Sequence, residues 1–512
     1  MSTKADAQGL FRAAVIDCGT SAVRASIVEI SGASHKVLED LEYPVDLTSG
    51  LLEGRINRPA IEGVLRAFKG ILEACQANAV TQMRAVGTSA LREAENADFL
   101  IERVIRQFDI DLEVLDSAEE ARLYCSALRE LVKAEKYKMK GMSLFMDVGA
   151  GSTSTSIMRL GKLVHSVDEH FGTARVYELF KKLRDSVDYT DAVDRYLYGA
   201  VKMTLGRLPR QKLRDILITG ADVRRLLHLL RPEAKNRLEP LGIRQVEEWY
   251  KKVCTLTPNE RASACGMSAV QAALLLPAAS LIRHLCDETK HDHVLVTRMT
   301  LRDGLIADLK SGQGPHLVSR SELIAAAKQL AARFRMDLPY AENTASLALQ
   351  IFDQTTALHG LGERERTLLE FAALVHDVGA FVNVRNRHKH SLYIIQSSDI
   401  SGLTPLEKSI VAHVARYHRR SVPKGSHVEF MALPRHARVV VTYLAALLRI
   451  AYALDVERMR RIRRVQCEVS GERLLIHVDR RQIELERWSL RKKAKLFQEL
   501  FGLSVELIPK EE

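Results

Sequence analysis

No CxxC pair and no metal-finger spacing occurs among the seven cysteines, which stand apart at 18, 75, 125, 254, 265, 286 and 467. An odd, dispersed set of this kind argues against a disulfide framework and for a reducing compartment. A GxxxxGK[ST] run is also missing, which removes the P-loop as a way of holding phosphate. The first residues, MSTKADAQGLFRAAVIDC, lack a basic segment followed by an apolar one, so the expectation is a cytoplasmic protein. Long apolar runs are scarce. SAVQAALLLPAASLI and VVVTYLAALLRIAYAL are short or interrupted by Pro277 and Arg449, and are expected as buried helices rather than membrane spans.

What is present is a globular composition, with 46% hydrophobic and 27% charged residues. A chain of 512 residues is too long for one core and implies three or four domains. Lys plus Arg exceed Asp plus Glu by 75 to 64, giving a net charge of +11. Such an excess draws anionic partners without distinguishing nucleic acid, lipid or a polyanionic substrate. The charge is concentrated late, in RMRRIRR (Arg458 to Arg464) and RWSLRKKAK (Arg487 to Lys495).

One stretch, FMDVGAGSTSTSI (Phe145 to Ile157), ends an apolar strand in Asp147 and then clears the large side chains away. A strand leading into an acid and a glycine-rich turn presents bare amides to an anion, and phosphate is the first suspect. The plan occurs twice. AAVIDCGTSAVRASIVEI reads as a hairpin around a Gly-centred turn after Asp17, and the later copy continues through Gly161 into a third strand. Two copies of strand, Asp, glycine turn and strand indicate an internal duplication, each copy heading an α/β half.

Between the copies, an apolar strand runs into Thr88-Ser89 and a helix carrying Arg92. LEVLDSAEEARL then starts a second helix, with Asp116 or Ser117 as cap and Glu119-Glu120 in its first turn. Stabilising the helix dipole needs only one of those carboxylates. DILITGADVRRLL ends a further strand at Gly220, and TRMTLRDGLIADL closes the α/β region. From Ser319 to Leu454 the periodicity is helical, and the last residues alternate strand and helix. Two Asp-Gly loops at the hinge of a duplicated pair imply a cleft that grips a phosphate chain from both sides.

The segments DCGTSAVR, GTSALREAENADFL, SAEEARL, DVGAGST and LRDGL, in that order, resemble the exopolyphosphatase and guanosine-pentaphosphate phosphohydrolase family of the actin and hexokinase superfamily. AALVHDVG, HKHSLYIIQSSDISGLTP and ARYHRR look like that family's C-terminal HD-like domain. The resemblance implies an α/β fold of two actin-like (ribonuclease H-like) domains, residues 10–130 and 131–312. An all-α HD-like domain at 316–458 and a small α+β unit at 462–512 would follow. It implies that Glu120 orients or deprotonates an attacking water, that Arg92 clamps the terminal phosphate, and that Asp147, with Asp17, holds magnesium. The loops Gly19, Thr20, Ser21 and Gly149, Gly151, Ser152, Thr153, together with Ser89, would line the phosphate. A homodimer acting on inorganic polyphosphate or guanosine pentaphosphate is implied, with no membrane and no specific nucleic acid as partner.

Departures from that pattern carry expectations of their own. Ser154 stands where the family has a second acid, which would weaken metal binding, Ser21 stands where asparagine is common, and Ala150 replaces a glycine. In the helical region His376 and Asp377, with Asp455 as a distant partner, resemble an HD metal site. Tyr340 takes the place of another histidine, so a retained structural dyad is the expectation. His388, His390, His413 and His418 are expected on a basic, anion-facing surface. A regulatory protein that binds polyphosphate or alarmone without efficient turnover is the first rival. A sugar-kinase-like enzyme is the second, disfavoured because no sugar-site residues can be picked out.

Overall fold

The computed structural model describes residues 10–47, 54–184, 186, 188–208, 212–311, 320–398, 400, 402–480 and 482–509. The chain forms two compact units, one up to residue 315 and one from residue 316. The boundary expected at 312–316 lies outside the described residues.

In the first unit, β1 (Phe11–Cys18) is apolar at Ala13 to Ile16 and turns at Gly19 into antiparallel β2 (Ala22–Ser31) and β3 (Ser34–Pro44). On its other side β1 pairs in parallel with β4 (Gln82–Gly87), and β4 with β5 (Leu112–Val114), giving the order β3-β2-β1-β4-β5. The second sheet contains β6 (Met142–Val148), β7 (Thr153–Arg159), β8 (Lys162–Glu169), β9 (Leu213–Thr219), β10 (Leu238–Gly242) and β11 (His293–Thr297). Its order is β10-β11-β9-β6-β7-β8, so β8-β7-β6-β9-β11 repeats the first sheet and β10 adds an edge. The duplication extends to detail: a register shift falls between Ile27 and Val28 in one meander and between Ile157 and Met158 in the other, equally far beyond Asp17 and Asp147.

The helices Ser117–Ala134 and Leu301–Ser311 are packed so closely that a Cβ on Gly304 would stand 2.4 Å from the Leu123 carbonyl oxygen. Only glycine permits that approach, and it explains the glycine of LRDGL.

The second unit is built on helices Arg320–Arg333, Leu338–Gln354, Glu363–Val375, Arg387–Gln396, Pro405–Tyr417 and Arg435–Leu454. A small sheet of β12 (Val465–Ser470), β13 (Arg473–Val478) and β14 (Ser504–Pro509) follows, with helices Glu484–Lys493 and Lys495–Phe501. Leu474, Ile476 and Phe497 share one apolar core with Phe371, Val411 and Leu447, so sheet and helices are packed as a single body. Two helices, Ala269–Thr289 and Arg435–Leu454, are long and apolar enough to cross a membrane. Most of their residues are packed inside the two units, and Arg449 donates to the Tyr417 carbonyl oxygen at 2.9 Å.

Candidate active site

The two glycine turns close in the same way: the Gly19 N–H donates to Ala22 O at 3.1 Å and the Gly149 N–H to Ser152 O at 2.9 Å. These two amides are therefore committed to loop shape, and the expected phosphate-facing donors reduce to those that follow them. The turns meet. A Cβ on Gly151 would lie 2.8 Å from Thr20 Oγ1 and 3.1 Å from Ser89 Oγ, and those two hydroxyls are 3.3 Å apart. The side chain missing at 151 thus makes room for the opposite half of the fold. Ala150 is outside the left-handed region, so its methyl costs nothing there.

Asp116 caps the helix Ser117–Ala134, its Oδ1 accepting from the Glu119 N–H at 2.8 Å. The first-turn carboxylates then diverge. Glu119 is taken by Arg122, at 2.7 and 2.8 Å, and by Arg84. Glu120, one residue on, turns instead to Arg92. Arg92, at the end of the short helix Ser89–Glu93, donates from Nη1 to Leu115 O at 2.8 Å and to Glu120 Oε2 at 3.2 Å. From Nη2 it donates to Asp168 Oδ2 at 2.7 Å.

Burial pushes Glu120 up to about 8, against the pull of Arg92 and with a further upward push from Asp168 and Asp147. Asp147, at the end of β6, is raised by burial to about 6 although the Tyr124 hydroxyl donates to it and Arg224 lies near. Asp17 is raised by burial in spite of Arg24 and Arg302, and its Oδ1 is buried with no hydrogen-bond partner. Tyr124 feels Asp147, Glu120 and Asp17 together, so the three acids converge on one place.

Excess buried negative charge, an unpaired carboxylate oxygen and an all-oxygen donor set fit a hard divalent cation. Among the described residues no group of three or more His, Cys, Asp or Glu could hold a metal ion. A cation such as magnesium, which takes one or two carboxylates and leaves its other positions to water and phosphate oxygens, would need no such group. Asp147 and Asp17 are the residues that would hold it.

Sequence reasoning missed Asp168, Tyr124 and Arg224. Tyr124 and Arg224 could have been suspected, since each sits within a turn of a named residue, Glu120 or Gly220. Asp168 gave no such signal.

In the helical unit, Tyr340 Oη lies 3.3 Å from His376 Nε2, and His376 Nδ1 donates to Ala373 O at 2.7 Å. Asp377 is paired with Arg387 at 2.7 Å and with Arg458, whose guanidinium also lies 4.7 Å from the centre of the Tyr340 ring. Asp455 is held by Asn343 and the Arg460 N–H, both at 2.8 Å. The surface expected for four histidines is corrected: His388, His413 and His418 are buried, and His390 is half-buried. His413 and His418 sit near the end of the helix Pro405–Tyr417 and donate back to Ser409 O and Ala415 O, with His413 against Tyr417 and Phe430 and His418 against His376 and Tyr452.

The profile of the Ppx/GppA phosphatase family matches residues 26–311, and that of Ppx/GppA phosphatase domain III matches residues 324–499. The chain is 24% identical over 459 residues to a guanosine-5'-triphosphate,3'-diphosphate pyrophosphatase of Aeromonas hydrophila, covering 87% of this chain and 88% of the relative. An exopolyphosphatase of Cytophaga hutchinsonii shares the fold with a TM-score of 0.52 at 23% identity, over 59% of this chain and 99% of that one. The Aquifex aeolicus member of the Ppx/GppA family does so with a TM-score of 0.51 at 20% identity, over 60% and 100%. With both profiles matched in order along most of its length, the chain belongs to the Ppx/GppA phosphatase family.

Proposed function

We propose that the protein is a magnesium-dependent exopolyphosphatase, releasing the terminal phosphate of inorganic polyphosphate by attack of water in the slot between the two α/β halves. The observation that carries this reading is Glu120: a buried carboxyl with raised proton affinity, hydrogen-bonded to a guanidinium and within the field of Asp147 and Asp168. A group of this kind is a proton acceptor waiting for a cationic partner.

Glu120 takes a proton from the water as its oxygen bonds to the terminal phosphorus. The bond from that phosphorus to the bridging oxygen breaks, and its electron pair stays with the shortened chain. Little covalent work is left to the protein, so charge placement supplies most of the rate. Arg92 offers a planar fork to the terminal phosphoryl oxygens, and the amides beyond Gly19 and Gly149 hold the chain behind it. Asp147 and Asp17 would hold a divalent cation, which would neutralise part of the phosphate charge. Because the base must be ionised, activity rises with pH through the Glu120 value, which a bound cation lowers.

The late basic segments favour polyphosphate, since a long polyanion engages many cations and a nucleotide only a few. A second reading, hydrolysis of the 5′ γ-phosphate of guanosine pentaphosphate, is favoured by the near full-length match to the Aeromonas hydrophila relative. Phosphate release from long-chain polyphosphate and from guanosine pentaphosphate, with magnesium, in wild type and Glu120→Gln, separates the two. Equal rates in wild type and variant would remove Glu120 from its role. Tight polyphosphate binding without release would show a regulatory protein instead.

A further inference from the structure

The internal duplication gives a control for every charge in the slot. In the first half, β1, β2 and β3 set Asp17, Arg24 and Glu42 in one cross-strand row: Asp17 pairs with Arg24, and Arg24 with Glu42 at 3.0 Å. The corresponding row on β6, β7 and β8 is Asp147, Ser154 and Asp168. Residues directly opposite in a ladder share a face and interact, so the middle position decides how the outer acids are compensated. A cation fills it in the first row. In the second it is a neutral hydroxyl, and Asp168 has no cation in its own sheet row.

Its partner comes from the other half. Arg92 reaches Asp168 Oδ2 at 2.7 Å, and Ser117 Oγ donates to the same oxygen at 2.9 Å. Arg92 and Ser117 both belong to the first α/β half, and Asp168 to the second. The carboxylate therefore pins the guanidinium from across the slot, while Glu120 holds it from its own side. We propose that Asp168 is the positioning residue of this site: it fixes the fork of Arg92 and supplies from β8 the negative charge that β7 lacks at Ser154.

The inference deepens the exopolyphosphatase reading and rests on it for its kinetic arm. Asp168→Asn keeps an acceptor for Arg92 and removes the charge. The kcat for phosphate release should fall about tenfold with KM unchanged or lower, and the acid limb of the pH profile should move to lower pH, because Glu120 loses a repulsive neighbour. Ser154→Asp combined with Asp168→Ser, which moves the carboxylate one strand inward, should recover most of kcat and return the limb. A purely structural role would change the melting temperature and leave kcat per folded molecule in place, the limb alone reporting the lost charge. Wild-type kcat and limb in Asp168→Asn, or no recovery in a fully folded double variant, would overturn the proposal. If the wild type releases no phosphate from polyphosphate or guanosine pentaphosphate, the functional reading falls and calorimetry with tripolyphosphate decides alone. Asp168→Asn should then bind tighter, with Arg92 freed for the anion, and equal affinity would overturn the proposal.

Discussion

Two buried groups of charges, one in the α/β unit and one in the helical unit, are compensated in opposite ways. In the α/β unit, Asp17, Glu120, Asp147 and Asp168 lie within one another's fields, with Arg24, Arg302, Arg224 and Arg92 as neighbouring cations. Arg92 is shared between two acids, and the proton affinities of Glu120 and Asp147 rise. In the helical unit a single carboxylate, Asp377, is paired with two guanidiniums, Arg387 and Arg458, and His376 and His418 are held neutral by burial. The first group would be completed by the cation and anion of the proposed function. The second is closed on itself, and a guanidinium lies against the carboxylate that a metal would need. The expectation of a structural dyad around His376 and Asp377 is consistent with that closure, and Tyr340 contributes a hydroxyl where a ligand would be required.

The comparison can be broken at several points. Glu120→Gln should lower phosphate release by about 10²–10⁴-fold, the usual worth of a positioned base, in a steady-state assay. Chelation of magnesium should remove several kcal/mol of transition-state stabilisation from the same assay, while the melting of the helical unit stays where it was. Asp377→Asn should do the reverse: about 3–5 kcal/mol of stability lost, read from denaturant unfolding, because Arg387 is left buried without its partner. Turnover per folded molecule should hardly change. The smallest effect concerns stability and pH. Glu120 binds its proton more tightly in the folded chain, so the stability it lends is complete below its ordinary value and lost as pH rises through about 8. Glu120→Gln should melt about 2 °C or more above wild type at pH 9, with the gap gone below about pH 4.5. A gap of the opposite sign would show that the carboxyl is already paired.

Much of this was readable in the chain before any coordinates. Asp17 and Asp147 announced themselves because an apolar run, an acid and small residues stand in immediate succession, and local order is what a sequence displays. The pattern alone did not separate Glu120 from Glu119, since a helix needs only one first-turn acid; the family resemblance pointed to Glu120, and the structure assigns Glu119 to Arg122 and Arg84. Asp168 was hidden by the register shift in the β7–β8 hairpin. Counting back from the turn, where Arg159 faces Lys162, sets Val167 opposite Ser154. The irregularity after Ile157 slips the pairing by one and brings Asp168 there instead. Arg387 and Arg458 were hidden for another reason: nothing in a list of basic residues says which are spent on a buried acid. His413 and His418 were misplaced because a helix-borne histidine can satisfy its Nδ1 on its own backbone and then be buried, whereas the buried His388 has no such bond at Nδ1.

Residue 151 has a further consequence for how the two halves meet. With no carbon beyond the backbone there, the hydroxyls of Thr20 and Ser89 come up against the main chain of the facing turn, and this contact sets how narrowly the two halves can approach. Any side chain at 151, even a single methyl group, would push the Thr20 and Ser89 hydroxyls away, and with them the spacing of the two turns. That spacing is therefore held by atoms other than the carboxyls and the guanidinium of the site.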